Sequence, residues 1–315
     1  MIQKISVFGA GTMGHGLAET FAMNGYPVRI YDVSEVARKN VKDAMRAELT
    51  FLSESGVITA GQVEESLERI TVCDTVDYTA EEADYVIESV LEKMEVKQDL
   101  FEQLDRLCKP ECILASNTSG LPLQGMMEKV SEARRARMMV CHWYNPPHLM
   151  PIVELSHFGN TSEELYEEVA QLYQKMGKQT VKVLKDVPGL VANRIQQGIA
   201  RETFSIIEQG IAAPEDVDKA LKYGPAFRFA TTGPLEVVDM GGLDIWCTTG
   251  DNLLSVMDNR RDANPLLRKK VEEGKLGIKT GQGFYTYPLE RAKEVRERFQ
   301  KRLLHQLKAS EFYKD

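Results

Sequence analysis

Cysteine, excess basic charge and long apolar runs are all scarce in this 315-residue sequence. The five cysteines are an odd number, scattered and without the short spacings of a zinc site, so we expect reduced thiols and no metal. Lys and Arg total 39 against 47 Asp and Glu, and the net charge of −8 disfavours nucleic acid or an anionic membrane as a partner. No apolar run is long enough to span a bilayer, and an apolar strand stands where a signal peptide would begin. These features favour a cytoplasmic protein.

Two kinds of periodicity divide the chain. Strand patterns alternate with helical patterns up to residue 186, and helical patterns dominate from residue 187 to 315, after a DVPG linker. The predicted strands are residues 2–8, 27–31, 83–90, 112–115, 137–141, 152–155 and 179–184. The sequence therefore predicts an α/β protein: a Rossmann-type, doubly wound parallel sheet followed by a mainly α-helical C-terminal domain. A helical domain attached to a nucleotide-binding fold often forms a dimer interface, so we expect a homodimer.

A glycine-rich turn, GAGTMG at residues 9–14, connects the first strand to a helix. Gly9 permits a tight turn, Gly11 lets the backbone approach a pyrophosphate, and Gly14 lets the helix pack closely on the strand. The second strand ends at Asp32, where a carboxylate would bind both ribose hydroxyls and repel a 2′-phosphate. The pattern predicts NAD, in preference to NADP, as the cofactor.

The segment CHWYNPPHLMPIVEL, residues 141–155, is the candidate catalytic element. It is typical of a strand end, a turn rigidified by Pro146 and Pro147, and a returning strand. Such a return can bring His142 and Glu154 together, and an imidazole held by a buried carboxylate is suited to proton transfer. The alternative is a surface histidine beside a loop, with Glu154 exposed on an edge strand.

Polar residues also mark the ends of other predicted strands. Glu88 and Ser116 occupy strand ends in the same way as His142. Ligands of doubly wound sheets bind at the carboxyl ends of the strands, so we expect these side chains near the cofactor. His15, just inside the first helix, is expected at the surface.

With these residues in view, the chain resembles the 3-hydroxyacyl-CoA dehydrogenase family over nearly its whole length. The matching motifs, in order, are GAGTMGHG, ESVLEKMEVKQDLFEQLD, ASNTSG, HWYNPPHLMPIVEL, DVPGLVANRI, GPLEVVDMGGLD and KTGQGFYTY. The resemblance implies an NAD-dependent oxidoreductase that oxidises the secondary alcohol of a 3-hydroxy acid, or of its acyl-CoA thioester, to the 3-keto product.

The resemblance also implies roles for individual residues. His142 matches the catalytic base and Glu154 the carboxylate that orients it and stabilises the imidazolium. Ser116 and Asn193 match residues that hydrogen-bond the substrate's hydroxyl or carbonyl region, and Asn145 resembles part of the same group. Glu92 and Lys97 match positions near the cofactor's ribose and nicotinamide. The full set of implied cofactor-binding residues is Gly9, Gly11, Thr12, Met13, Gly14, Asp32, Glu92, Lys97 and Asn117.

The sequence departs from the acyl-CoA members of the family after the second strand. Those members meet the CoA phosphates with lysines, whereas residues 43–70 of this chain hold six acids against two bases and would repel a polyphosphate. An extra segment, GPAFRFATTGPLE, contains Arg228, whose guanidinium suits a substrate carboxylate. An exposed or interdomain ion pair is the alternative role for Arg228.

Several functional readings stay open at this point. One is a dehydrogenase that acts only on a free hydroxy acid or ring carboxylate, similar to gulonate, carnitine and pyridine-carboxylate dehydrogenases. A CoA thioester could still find a basic partner in the cluster at residues 134–137. A mechanism with a lysine donor is disfavoured because the predicted helix at residues 190–209 contains no lysine. A catalytically silent, NAD-binding structural protein is disfavoured because it would have no reason to keep a charged His142–Glu154 pair.

Overall fold

The structure, a computed structural model, describes residues 1–313. Within this range one sheet contains eight strands: β1 (Ile5–Phe8), β2 (Val28–Tyr31), β3 (Ile70–Val72), β4 (Tyr85–Glu88), β5 (Ile113–Ser116), β6 (Met138–Trp143), β7 (Ile152–Ser156) and β8 (Gln179–Val183). Their order is β3-β2-β1-β4-β5-β6-β7-β8. Neighbouring strands are parallel except β6 and β7, which are antiparallel. The sheet is therefore doubly wound about β1, as predicted, with one antiparallel pair at the returning strand.

Helices surround this sheet and make up most of the rest of the chain. The first are α1 (Thr12–Met23), α2 (Glu35–Glu54), α3 (Ala60–Glu68), α4 (Val76–Ala80), α5 (Met94–Leu107), α6 (Leu123–Met126), α7 (Glu132–Arg135) and α8 (Glu163–Lys175). Those that follow are α9 (Ala192–Glu208), α10 (Pro214–Tyr223), α11 (Pro225–Thr232), α12 (Pro234–Gly241), α13 (Leu243–Leu253), α14 (Pro265–Glu272) and α15 (Ala292–Ser310). Short 3₁₀ turns occupy Leu289–Arg291 and Glu311–Tyr313. The predicted helical C-terminal part is thus confirmed.

Some elements lack a sequence signal strong enough to predict them. The strand β3 has only three residues, and α4, α6 and α7 have four or five, which is too short for a hydrophobic period to appear. The helix α11 begins at Pro225 and follows a helix directly, so the sequence around it resembles an irregular insertion. Length and proline placement, not composition, hid these elements.

Alternating side chains give the sheet two apolar faces. One face packs on Leu17 and Phe21 of α1, and the other on Phe101 and Leu104 of α5. Because side chains alternate along a strand, residues two positions from members of the second core share its face. By this rule Glu88, Ser116 and His142 lie on that face. Glu154 lies there as the register partner of His142. The strands β1, β4, β5 and β6 are parallel, so their carboxyl ends lie at one edge of the sheet. Glu88, Ser116 and His142 lie at or near the carboxyl ends of β4, β5 and β6.

The chain forms two compact units, Met1–Val191 and a second that begins at Ala192. The first contains the whole sheet, and the second consists of helices α9 to α15. Across residues 1–313, no helix has both the length and the apolar character needed to cross a lipid bilayer.

Candidate active site

The glycine-rich turn leaves β1 and enters α1 in a conformation that requires glycine. Gly9 has a φ of +104°, and a Cβ there would lie 2.3 Å from the carbonyl oxygen of Ser89. A Cβ at Gly14 would lie 1.8 Å from the carbonyl oxygen of Gly9, so helix and strand approach each other more closely than any side chain allows. Around Gly11 the situation is reversed, because no described atom beyond its neighbours lies within 4 Å of where its Cβ would be. The turn therefore opens onto free space at Gly11.

The start of α1 and the end of β2 frame that space. No described side chain caps the helix at its N-cap residue Gly11, so the first-turn N–H groups and the positive end of the helix dipole are suited to a pyrophosphate. The carboxylate of Asp32 accepts hydrogen bonds from the backbone N–H groups of Ala10 at 2.7 Å and Ser34 at 2.8 Å. Each of its oxygens keeps a further lone pair for a ribose hydroxyl. The residues at this turn fit NAD.

His142 and Glu154 face each other across the antiparallel pair β6–β7, where they are direct register partners. The Nδ1 atom of His142 lies 2.8 Å from Oε2 of Glu154, and both side chains are buried. The other oxygen of Glu154, Oε1, accepts a hydrogen bond from the backbone N–H of Val191 at 2.9 Å. A carboxylate held at both oxygens fixes the proton of the imidazole on Nδ1, which leaves Nε2 as the basic atom.

A buried ion-pair network lies beside the ends of β4 and β5. The ammonium group of Lys97, 1% exposed, lies 2.7 and 2.9 Å from the two carboxylate oxygens of Glu88 and 3.0 Å from Oε2 of Glu92. Glu92 also accepts hydrogen bonds from Thr118 and from the backbone N–H of Ser119. Although partial burial acts to raise the pKa of Glu92, the Thr118 hydroxyl and the Lys97 charge hold it below its usual value. Glu92 is therefore an ionised, exposed carboxylate that Lys97, Thr118 and Ser119 hold in position.

Ser116 and Asn117 connect this network to β6. Ser116 is fully buried; its hydroxyl donates to Oε2 of Glu88 at 2.6 Å and accepts from the N–H of Thr118 at 3.2 Å. One lone pair of the hydroxyl is left for a further donor. The side chain of Asn117 accepts a hydrogen bond from the N–H of Trp143 at 2.8 Å, next to His142.

The remaining predicted site residues lie in several places. In the first unit, Thr12 is exposed and Met13 half-buried at the start of α1, while Asn145 is exposed in the turn between β6 and β7. In the second unit, Asn193 is half-buried on α9 and Arg228 is exposed on α11.

Sequence reasoning missed two features of the site. It did not predict the ion pairs of Lys97, whose side chain the structure buries and whose charge it directs onto Glu88 and Glu92. A glutamate that ends the otherwise apolar strand β4 is the signal that could have indicated a buried cationic partner. It also missed Lys178, which is 6% exposed and donates to two carbonyl oxygens of the β6–β7 turn.

Comparison with known proteins shows which family the chain belongs to. The model of the 3-hydroxyacyl-CoA dehydrogenase NAD-binding domain matches residues 4–187, and that of the family's C-terminal domain matches residues 189–287. The chain belongs to the 3-hydroxyacyl-CoA dehydrogenase family. It carries the family's NAD-binding domain, and it is an NAD-dependent oxidoreductase of this type.

The chain is similar to relatives named for CoA thioesters and to relatives named for a pyridine carboxylate. It is 39% identical to a probable 3-hydroxybutyryl-CoA dehydrogenase of Bacillus subtilis, over 91% of this chain and 98% of that protein. It is 32% identical to 5-formyl-3-hydroxy-2-methylpyridine 4-carboxylate 5-dehydrogenase of Mesorhizobium japonicum, over 94% of both chains. The crystal structure of a dehydrogenase of that pyridine carboxylate, an NAD⁺-dependent dismutase, superposes with a TM-score of 0.87 at 32% identity over 97% of both chains.

Proposed function

We propose that this protein oxidises the secondary alcohol of a 3-hydroxy acid, or of its acyl-CoA thioester, to the 3-keto product, with His142 as the general base. The observation that carries the proposal is the 2.8 Å contact between Nδ1 of His142 and Glu154, whose other oxygen is held by Val191. This arrangement is suited to one task, which is to accept a proton at Nε2 and to stabilise the resulting imidazolium.

The proposed reaction divides between cofactor and chain. NAD⁺, which the glycine turn and Asp32 would hold, would supply the acceptor for the hydride of the carbinol carbon. Nε2 of His142 removes the hydroxyl proton, and the negative charge of Glu154 stabilises the imidazolium. Because His142 takes the only hydroxyl proton, Ser116 would turn its own hydroxyl from Glu88 and donate it to the substrate oxygen. The family resemblance gives Asn145 and Asn193 further contacts with the substrate. In the reverse direction the imidazolium returns the proton to the carbonyl oxygen.

We assign the cofactor to residues 1–186, and dimerisation and part of the substrate binding to residues 187–315. The glycine turn would hold the pyrophosphate, with Thr12 and Met13 at the helix start, and Asp32 the adenosine ribose. Glu92, ionised and exposed, would contact the nicotinamide half of NAD, and Asn117 would lie beside it. Lys97 would act on the cofactor by holding Glu92 in place, since its own ammonium group is buried.

A second candidate, a dehydrogenase restricted to free hydroxy acids or ring carboxylates, is favoured by charge. Residues 43–70 contain six acids and two bases. Both bases form ion pairs within the segment, Arg46 with Glu64 and Arg69 with Glu65, so neither is available to a CoA phosphate without breaking a contact. The segment 43–70 therefore carries an excess of negative charge, and Arg228 supplies a cation for a carboxylate. The similarity to a pyridine-carboxylate dehydrogenase supports this candidate.

Initial rates of NADH formation with matched pairs of free 3-hydroxy acids and their CoA thioesters separate the two candidates. Turnover of both forms supports the broader proposal, and turnover of free acids alone supports the narrower one. Turnover of thioesters alone would defeat the charge argument and would place the enzyme in fatty-acid metabolism. No turnover of any substrate, with NAD bound, would leave an NAD-binding structural protein.

We further propose a cytoplasmic homodimer. The five cysteines are free thiols, which supports a reducing compartment such as the cytoplasm. On α12 and α13 large apolar side chains are strongly exposed, including Leu235 at 80%, Met240 at 77% and Leu243 at 66%. A second copy of the chain would cover such a surface. Size-exclusion chromatography with light scattering would give the molar mass in solution and hence the number of chains. Leu243→Asp should shift a dimer towards the monomer mass.

A further inference from the structure

A second cluster of ionisable side chains lies on the other face of the first unit, away from His142. Glu19 extends from α1, Glu48 from α2, and His148 from the turn between β6 and β7. Nδ1 of His148 lies 2.9 Å from Oε1 of Glu19 and 3.0 Å from Oε2 of Glu48. One ligand atom from each of the three residues falls within 4.8 Å of the other two.

These contacts are not ordinary hydrogen bonds. Among the residues described, both carboxylate oxygens of Glu19, Oε2 of Glu48 and both ring nitrogens of His148 are buried without a hydrogen-bond partner. The side chains of Glu19 and His148 have no exposed surface at all. Buried polar atoms nearly always have a hydrogen-bond partner. Three residues whose unpartnered atoms converge on one point therefore require an explanation.

Charge balance raises the same question. Two carboxylates approach each other in a buried space, and within residues 1–313 the only cationic groups that pair with them are histidines. Two buried carboxylates cannot both ionise without compensation by a cation or a proton. No lysine or arginine fills that role in the part of the chain that the structure describes.

His15 supports the arrangement from outside the cluster. The sequence suggests a surface position, but its side chain is only 13% exposed. Nδ1 of His15 lies 2.8 Å from the carbonyl oxygen of Gly11, and Nε2 lies 3.1 Å from Oε1 of Glu48. His15 thus holds one oxygen of Glu48 and leaves the other, Oε2, directed at His148. Outer residues that fix ligand orientation in this way are typical of metal sites.

We propose that Glu19, Glu48 and His148 form a binding site for a divalent transition-metal cation such as Mn²⁺ or Zn²⁺. One imidazole nitrogen and two carboxylate oxygens are a donor set that suits these ions, with water in the remaining positions. Two ligands about 2.1 Å from an octahedral ion and about 90° apart lie about 3.0 Å from each other, as Nδ1 of His148 does from Oε1 of Glu19 and from Oε2 of Glu48. The ion would give a partner to Oε1 of Glu19, Oε2 of Glu48 and Nδ1 of His148, and it would neutralise the two carboxylates.

The position of the site indicates a structural role. An ion there connects α1, which begins at the cofactor turn, with α2 and with the β6–β7 turn that joins the strands of His142 and Glu154. Gly16 of α1 already lies against this turn, since a Cβ there would be 3.0 Å from the ring of Pro147. The metal would stabilise the folded state and fix the cofactor helix against the catalytic strand pair.

The test is made first on the wild-type protein, with metal alone as the probe. Protein stripped with a chelator should take up Mn²⁺ or Zn²⁺ stoichiometrically by elemental analysis, and its Tm should rise by several degrees. Co²⁺ should give the d–d absorption of an ion with nitrogen and oxygen ligands. Glu19→Gln and His148→Gln should weaken binding by about 100-fold or more, and His15→Gln by about 10-fold to 100-fold.

His157→Gln is the matched control, because His157 also pairs with a glutamate, Glu163 at 3.2 Å, but near the surface. This variant should bind metal as the wild type does. If stripped wild-type protein binds neither Mn²⁺, Zn²⁺ nor Co²⁺ and keeps its Tm in their presence, the cluster is held by protons and the proposal is wrong. Equal binding by wild type and the isosteric Glu19→Gln variant would also overturn it, and neither result depends on His148→Gln being able to fold.

Discussion

The ammonium group of Lys178 lies 2.6 Å from the carbonyl oxygen of Pro147 and 2.8 Å from that of Met150. It also lies 4.8 Å from the ring centre of Trp143. Lys178, the residue before β8, is therefore bound to the middle and to the last part of the turn that joins β6 and β7. Burial lowers the pKa of Lys178 to about 7, because the charged form has lost its water. A neutral amine still has two N–H donors for the two carbonyls.

This contact predicts how stability depends on pH. An unfolded lysine titrates near 10.4, so between about pH 7 and pH 10 the unfolded chain binds a proton that folded Lys178 does not. The free energy of unfolding should consequently rise with pH across this window, by at most about 1.4 kcal/mol per pH unit from this group. Urea unfolding of wild type and Lys178→Met at several pH values should give a difference that moves in favour of the wild type as pH rises. The exposed Lys175→Met is the control; if its curve and that of Lys178→Met change alike with pH, the assignment fails.

Removal of the proposed base should lower turnover without loss of the cofactor site. We expect His142→Gln to reduce kcat by about 10²-fold to 10⁴-fold, the usual contribution of general-base catalysis. NAD binding, measured by fluorescence titration, should change little. His157→Gln is a control for the general effect of losing a histidine, and equal kcat values for the two variants would exclude His142 as the base.

Replacement of Glu154 tests the tautomer. In Glu154→Gln the side-chain oxygen is expected to keep the N–H of Val191, so that its NH₂ group faces Nδ1 of His142. The imidazole would then carry its proton on Nε2 and could not accept another from the substrate. We expect a loss in kcat comparable to that of His142→Gln, and a double variant no worse than either single one. Additive losses would show that the two residues act separately.

The Glu88–Lys97 pair should behave as a buried ion pair. Lys97→Met leaves Glu88 charged and uncompensated, with an expected loss of about 3–5 kcal/mol in the free energy of unfolding. Glu88→Gln combined with Lys97→Met should recover part of that loss, which urea denaturation measures as a double-mutant cycle. The same cycle at the exposed pair Lys4–Glu82 should show a far smaller coupling. Strict additivity at Glu88–Lys97 would contradict the pairing.

Asp32 should determine the preference for NAD over NADP. Asp32→Ala removes the ribose acceptor and the charge that repels a 2′-phosphate, so kcat/KM for NAD should fall and the NADP to NAD ratio should rise. Because Asp32 also accepts from Ala10 and Ser34, Asp32→Asn is the control that keeps one backbone acceptor. An unchanged ratio in both variants would remove Asp32 from cofactor selection.

Arg228 should contribute to binding of an acidic substrate. A hydrogen bond to a charged group contributes about 1.5–3 kcal/mol, so Arg228→Ala should raise KM for the acid by about tenfold or more. Arg228→Lys should recover part of the affinity, and Arg261→Ala, another exposed arginine of the second unit, should leave KM unchanged. If KM stays the same in Arg228→Ala, the residue is a surface cation.

Local patterns in the sequence determined the cofactor turn and the order of strands and helices in the first unit. The glycine turn, the acid at Asp32 and the alternation of strands and helices each follow from a short stretch, because backbone conformation and hydrophobic period are local properties. The facing of His142 and Glu154 was also within reach, since a proline-rich turn and a returning strand leave few registers.

Only the tertiary structure decided which distant charges meet. Lys97 and Glu88, Lys178 and Pro147, and the group of Glu19, Glu48 and His148 each come from separate elements. Their pairing depends on how helices α1, α2 and α5 pack against the sheet, which no local period encodes. A buried charge must find its partner in space, and the energy of that contact exists only once the chain has folded and water has left.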